Sequence, residues 1–261
     1  MTTAEQRPAA TKNVMVRLDQ VSKFFGGLEA LSKVTLDVRE NEVLSLVGDN
    51  GAGKSTLMKV LAGVHSPTEG TVHIGGKPVV LDHPADAREM GIETVYQDLA
   101  LVETQDTTTN VFLGREEKTP FGFLDKKAMR EHTAEILARV SINVPSARAL
   151  VRKLSGGQRQ AVAIGRATAF GARLVLMDEP TAALGVQETA RVLDIIRGLR
   201  AQGITVIVVS HNLDQVLDTS DRVAVLRRGK LVGVVDAAGT SGERLVGMIT
   251  GLHDGSEDEV D

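Results

Sequence analysis

Glu42-Val43-Leu44-Ser45-Leu46-Val47-Gly48-Asp49-Asn50-Gly51-Ala52-Gly53-Lys54-Ser55-Thr56 is the stretch that decides the fold. Its first six residues, Glu42 to Val47, read as a buried strand. From Ser55 to Ala62 the apolar residues Leu57, Val60 and Leu61 recur at helical spacing. Between strand and helix lies the spacing of a P-loop, Gly48 through Ser55. A polyphosphate needs many donors close together. Gly48, Gly51 and Gly53 let the backbone turn tightly and point its N–H groups inward. The helix that follows adds the positive end of its dipole. Lys54 is placed to reach β- and γ-phosphates and Ser55 to bind Mg²⁺, with Asp49, Asn50, Ala52 and Thr56 completing the loop. The stretch therefore predicts a nucleotide site on an α/β fold with a parallel sheet.

Working outward, Leu174-Val175-Leu176-Met177-Asp178-Glu179 is a second apolar strand, ending in two carboxylates. Acids at the end of a parallel strand lie at the edge where ligands bind. Asp178 is expected to hold the metal, and Glu179 to polarise an attacking water. A third segment, Leu154-Ser155-Gly156-Gly157-Gln158, reads as a Ser-capped helix start continuing to about Phe170. Strands at Leu174 to Met177 and Thr205 to Val209 flank a helix from Gln187 to Ala201, which points to parallel βαβ units. Val14 to Asp19 and Val34 to Val38 alternate apolar with polar. Short strands are expected at Val72 to Ile74, Val79 to Leu81 and Ile92 to Tyr96. Val223 to Leu226 and Leu231 to Val235 read as a hairpin, and Glu243 to Ile249 as a short helix.

The texture turns helical and charged after Leu99, with Lys126 to Val140 the clearest amphipathic helix. The expected organisation is a loose leader over 1–12, one domain over 13–251 with a helical subdomain at about 98–170, and an acidic, disordered tail over 252–261. A net charge of −4 gives no general basic field for nucleic acid, and no nucleic-acid partner is expected. The absence of cysteine excludes disulfides and thiolate metal sites. The N-terminus shows no apolar signal region, and the longest apolar runs fall well below the ~20 residues of a membrane helix. Any membrane role is expected to come through a partner.

With the P-loop, the Asp178-Glu179 pair and Leu154 to Gln158 in this order, the chain resembles the ATPase subunit of an ABC transporter, from about Val14 to Gly251. The resemblance implies a P-loop NTPase core of RecA-like type. It adds an N-terminal antiparallel β subdomain and an inserted helical subdomain. It makes Ser155, Gly156, Gly157 and Gln158 the signature that caps the γ-phosphate of ATP held by a second, head-to-tail copy. Gln97 matches the loop glutamine that contacts metal and water, and His211 the switch histidine at the γ-phosphate. Phe25 matches the aromatic that stacks on adenine, although Phe24 and Phe25 also fit plain core packing. The implied catalytic set is Glu179, His211 and Gln97; the implied metal set is Ser55, Gln97 and Asp178.

Where the family carries an aspartate after Pro180-Thr181-Ala182-Ala183-Leu184, this chain has Gly185. Gly91 to Gln97, Asn110 to Arg115 and Glu179 to Gly185 are similar to bacterial monosaccharide importers of the ribose, xylose and fructose group. Each motif occurs once, which is similar to single-cassette members and implies a homodimer. The implied partners are membrane permease subunits and, indirectly, a sugar-binding protein, at the cytoplasmic face of the membrane. Permease contacts are expected from about Asp98 to Arg115. An amino-acid or lipid-export ATPase, a soluble ABC ATPase acting on nucleic acid or ribosomes, and a P-loop kinase are the competing readings.

Overall fold

The computed structural model describes residues 13–139 and 144–252. The expected leader, the acidic tail beyond Leu252 and Val140 of the predicted helix lie outside them.

Two strands open the described chain, β1 (Val14–Phe25) and β2 (Leu28–Arg39), paired antiparallel through a turn at Gly26-Gly27. Both are longer than the alternation predicts. Gln20 and Lys33 adopt positive φ, and the pairing shifts register between Leu18 and Val21. Such bulges break the two-residue period while keeping the ladder. The chain then runs through β3 (Val43–Gly48), α1 (Lys54–Leu61), β4 (Glu69–Ile74) and β5 (Lys77–Val79). β4 and β5 complete a four-stranded antiparallel sheet of order β2-β1-β4-β5.

Next come α2 (Pro84–Glu89), β6 (Ile92–Val95), α3 (Thr107–Phe112), α4 (Lys126–Arg139) and α5 (Gly156–Thr168). They are followed by β7 (Leu174–Asp178), α6 (Val186–Ala201), β8 (Thr205–Val209), α7 (Leu213–Thr219), β9 (Arg222–Arg227), β10 (Lys230–Asp236) and α8 (Gly242–Thr250). The second sheet has the order β10-β9-β3-β8-β7-β6; only its β9-β10 edge pair is antiparallel. β3, β7 and β8 are buried almost throughout, as strands covered by layers on both faces must be.

The hydrophobic interior divides by layer. One cluster joins the antiparallel sheet, α1 and one face of the parallel strands. A second joins the opposite face of those strands to α5 and α6. A third lies among α3, α4 and the start of α5, around Phe112, Met129, Leu137 and Leu154. α5 spans the second and third: Ala161, Ala163, Ile164 and Ala167 face the sheet, while Val162 faces the helical layer. A helix apolar on two faces couples the two layers mechanically. The sequence reading missed α2 and α7. α2 is one and a half turns long with one buried side chain, Ala87, so it carries no periodic signal; a capping box of His83 and Asp86 starts it.

Phe112 is buried and meets Phe170 edge-to-face, with ring centroids 5.6 Å apart. Phe112→Ala is expected to destabilise the chain by about 3–5 kcal/mol. Chemical denaturation monitored by circular dichroism measures this; an unchanged midpoint would remove Phe112 from the core of the helical layer.

Candidate nucleotide site

The strand order gathers the sequence motifs. β3, β8, β7 and β6 lie side by side and parallel, so their C-terminal ends share one edge. The P-loop leaves β3, Ser210 and His211 leave β8, Asp178 and Glu179 end β7, and Gln97 follows β6 by two residues. One open cavity at this edge is lined by Asn50 to Thr56, Gln97, Asp178 and Glu179, with Phe25, Leu28 and Glu29 at the other side.

Gly53 is the N-cap of α1, at φ 102°, and no side chain caps the helix. The first-turn N–H groups are thus left for a ligand, with the helix dipole behind them. Two glycines are forced by packing. A Cβ on Gly48 would lie 2.2 Å from the backbone oxygen of Leu226, and one on Gly53 would lie 2.8 Å from that of Ala30. The loop is also tied to the β9-β10 turn, since Gly229 N–H donates to Ala52 O at 3.0 Å. The Lys54 ammonium donates to the carbonyls of Gly48 (2.8 Å) and Asp49 (2.9 Å), which folds it back over its own loop. Burial pushes Lys54 below its ordinary pKa; the nearby carboxylates of Glu179, Asp49 and Asp178 oppose that push.

Asp178 is shifted the other way. Burial raises its carboxyl first, the charge of Glu179 raises it further, and Lys54 and Lys59 pull it down. A half-buried acid beside a second acid is an environment that a cation relieves. Glu179 adopts φ 48°, in the left-handed region that bulky residues avoid, while its N–H donates to Val209 O at 3.0 Å. The ladder to β8 thus runs one residue past the strand before the chain turns at Pro180. The Glu179 Oε1 is 3.3 Å from His211 Nδ1. His211 is mostly exposed and lines an adjoining cavity with Glu179, Ala182, Leu184 and Asn212. Phe25 is 42 % exposed at the rim, edge-on to His65 at 5.1 Å and with Lys23 Nζ 5.4 Å from its ring. That exposure removes Phe25 from the core.

The signature residues lie elsewhere. None of Ser155, Gly156, Gly157 and Gln158 lines the P-loop cavity. Ser155 caps α5, accepting from Gln158 N–H at 3.3 Å, while Gln158 Oε1 accepts from Ser155 N–H at 2.9 Å. One neighbour was not foreseen. Glu188, in the first turn of α6, lies across this helix start and accepts from Gly157 N–H at 3.2 Å. No sequence signal marks it, because α5 and α6 are separated by a whole strand. Gly185, the N-cap of α6, has an ordinary extended φ of −72° and nothing within 4 Å of where a Cβ would stand. The aspartate that the family pattern carries there is not excluded by sterics.

The parallel sheet, the P-loop and the carboxylates at its edge define a nucleotide-hydrolysing cassette. Residues 31–182 match the ABC transporter family, and the chain belongs to that family. It is an ABC-type ATPase. It is 45 % identical over 218 residues to the xylose/arabinose import ATP-binding protein XylG of Sulfolobus acidocaldarius, covering 84 % of this chain and 86 % of that one. It is 39 % identical to the fructose import ATP-binding protein FrcA of Rhizobium meliloti, over 89 % and 92 % of the two chains. It is 40 % identical to the ribose import ATP-binding protein RbsA 2 of Burkholderia ambifaria; 92 % of this chain matches 47 % of that one, so it spans about half that relative's length. Among solved structures, the ADP conformation of the ATP-binding cassette MJ1267 superposes with a TM-score of 0.79 at 26 % identity, over 91 % and 95 % of the chains. The dimeric cassette MJ0796 gives 0.72 at 28 % identity, over 87 % and 100 %.

Gly53→Ala introduces both a disfavoured φ and a contact with backbone, about 1–3 kcal/mol of strain at the phosphate loop. ATP affinity is expected to fall at least ~10-fold. Titration with a fluorescent ATP analogue measures it; parent-like affinity in a folded variant would show that the loop tolerates a side chain.

Proposed function

We propose that this chain is the ATP-binding subunit of an importer for a simple sugar, working as a head-to-tail pair of identical copies. The observation that carries the pairing is the separation within one chain: the P-loop forms the cavity, and the signature donors lie outside it. Each cavity then needs the signature of a second copy to neutralise the outer phosphate charge. The importer assignment is supported by relatives named for xylose/arabinose, fructose and ribose import, and the pairing by the dimeric cassette structure.

Phosphate oxygens bind the N–H groups of Gly51 to Ser55 and the Lys54 ammonium, which leaves the carbonyls of Gly48 and Asp49. Phe25 offers a ring for adenine at the far side of the cavity. Glu179 takes a proton from a water as that water attacks the γ-phosphorus. The bond to the β-γ bridging oxygen breaks, giving ADP and inorganic phosphate. His211, in contact with Glu179, orients the carboxylate and faces the γ-phosphate.

The residues present fit Mg²⁺. Ser55, Gln97 and Asp178 bring hydroxyl, amide and carboxylate oxygens to one cavity, and no group of three His, Cys, Asp or Glu side chains forms a cage among the described residues. That is the donor set of a hard cation arriving with a nucleotide and keeping some of its water. Held by Ser55, Gln97 and Asp178, Mg²⁺ would supply positive charge against the phosphates.

Among the described residues no helix is long and apolar enough to cross a membrane, and contact with the bilayer falls to a permease. A groove lined by Arg88, Tyr96, Ala100, Leu113, Arg115 and Phe170 is the docking place for a permease helix at the cytoplasmic face. It takes in part of the predicted 98–115 contact segment. Arg115 is fixed there by Glu93 at 2.6 Å and by the ring of Phe170 at 4.7 Å. An external sugar-binding protein delivers the cargo, which never reaches this chain.

Glu179→Gln keeps the shape and removes the base. Turnover is expected to fall about 10²–10⁴-fold, while ATP drives the protein into a stable dimer. Phosphate release and light scattering with ATP read the two effects. Near-parent hydrolysis would remove the role given to Glu179; failure to dimerise would remove the paired site. Co-purification with a permease and sugar-stimulated ATPase activity in vesicles test the importer assignment.

A further inference from the structure

The signature helix start is already engaged by an anion from its own chain. Glu188 Oε1 accepts from Gly157 N–H at 3.2 Å. Its stem packs on the same two glycines: a Cβ on Gly157 would lie 3.0 Å from Glu188 Cβ, and one on Gly156 would lie 3.6 Å from Glu188 Oε2. Ser155 and the Gly157 N–H beside it hold the carboxyl below its ordinary range. The Gly157 N–H that this carboxylate takes is one of the donors assigned above to the partner's γ-phosphate. Two anions cannot share one small set of donors, because each ligand needs the same hydrogens and the like charges repel.

We propose that Glu188 is an intramolecular stand-in for the partner's γ-phosphate, a carboxylate that must swing off the Gly157 N–H before two cassettes close over ATP. This rests on the head-to-tail reading of the signature. Its consequence is a threshold. In the single chain the Gly157 N–H is satisfied rather than bare. Closure exchanges a carboxylate for a phosphate carrying more charge and more acceptor oxygens. ADP, which brings no γ-phosphate, offers nothing to displace Glu188. The device therefore discriminates ATP from ADP at the closing step rather than at the P-loop. If the carboxylate covers the donors most of the time, the closing affinity is reduced by the uncovered fraction. In a symmetric pair that factor applies at both sites.

The test uses the full chain in the Glu179→Gln background, where ATP is bound but not consumed. The quantity read is the ATP concentration giving half-maximal dimer by sedimentation or light scattering. With Glu188→Ala this concentration is expected to fall by about 3- to 10-fold. Glu188→Gln, which keeps an acceptor but no charge, is expected to give a smaller fall. ATP binding by the dilute monomer should stay unchanged, because Glu188 lies outside the P-loop cavity. An ATP requirement that is unchanged or raised in Glu188→Ala overturns the proposal; a raised requirement with a lowered Tm makes Glu188 a brace for the helix start. Ser155→Arg in the same background separates the underlying reading. It should abolish ATP-driven pairing, and pairing that survives it removes the head-to-tail site whatever Glu188 does.

Discussion

The hydrogen-bonded ladder from β3 through β8 and β7 to β6 carries the site. Leu46 pairs with Val209, Asp178 with Val209, and Met177 with Val95, so three parallel registers fix where four loops leave the sheet. A parallel ladder resists sliding, because a one-residue slip would turn every side chain to the opposite face and against the wrong packing layer. The strands therefore act as a ruler. They set the P-loop, the Asp178-Glu179 pair, His211 and Gln97 at one edge without any long side chain reaching across the fold. The strained φ of Glu179 follows from the same ruler: one further ladder bond to Val209 holds the residue beyond the strand's end in a conformation it would not adopt alone.

The charges at that edge are balanced against burial. Lys54 is held by carbonyls and depressed by burial, while Asp178 is raised by burial and by its acidic neighbour. Each group loses water it would prefer to keep, and each would be relieved under the proposed function, by phosphate charge for the lysine and a metal cation for the aspartate. A pocket of this kind favours charged ligands strongly because its own groups are imperfectly satisfied without them.

Away from the edge, α5 connects the parallel sheet to the helical layer. Its start presents Ser155 and Gly157, one face packs on the sheet, and the other packs on α3 and α4. Contacts continue from it to the Phe112 cluster and, through Phe170 and Arg115, to the groove proposed for the permease. The contact of Glu188 with the helix start adds α6 to the same path.

Much of this was legible beforehand. The segment Thr205 to Val209 reads as a strand because five buried β-branched residues in a row admit little else, and β8 has those bounds. The P-loop reads as a strand-loop-helix because its glycine spacing has a steric purpose, now visible as backbone oxygens 2.2 and 2.8 Å from the missing Cβ atoms of Gly48 and Gly53. Short amphipathic pieces failed: α2 and α7 each bury a single side chain, and bulges hid the length of β1 and β2. Local pattern thus determined the elements and the residue types suited to phosphate, since those depend on chain neighbours. The tertiary structure alone decided that the Lys54 loop and the Glu179 pair share a cavity which Ser155 does not enter, and that Glu188 covers Gly157. Those relations depend on strand order and on contacts between distant segments, where sequence spacing carries no distance.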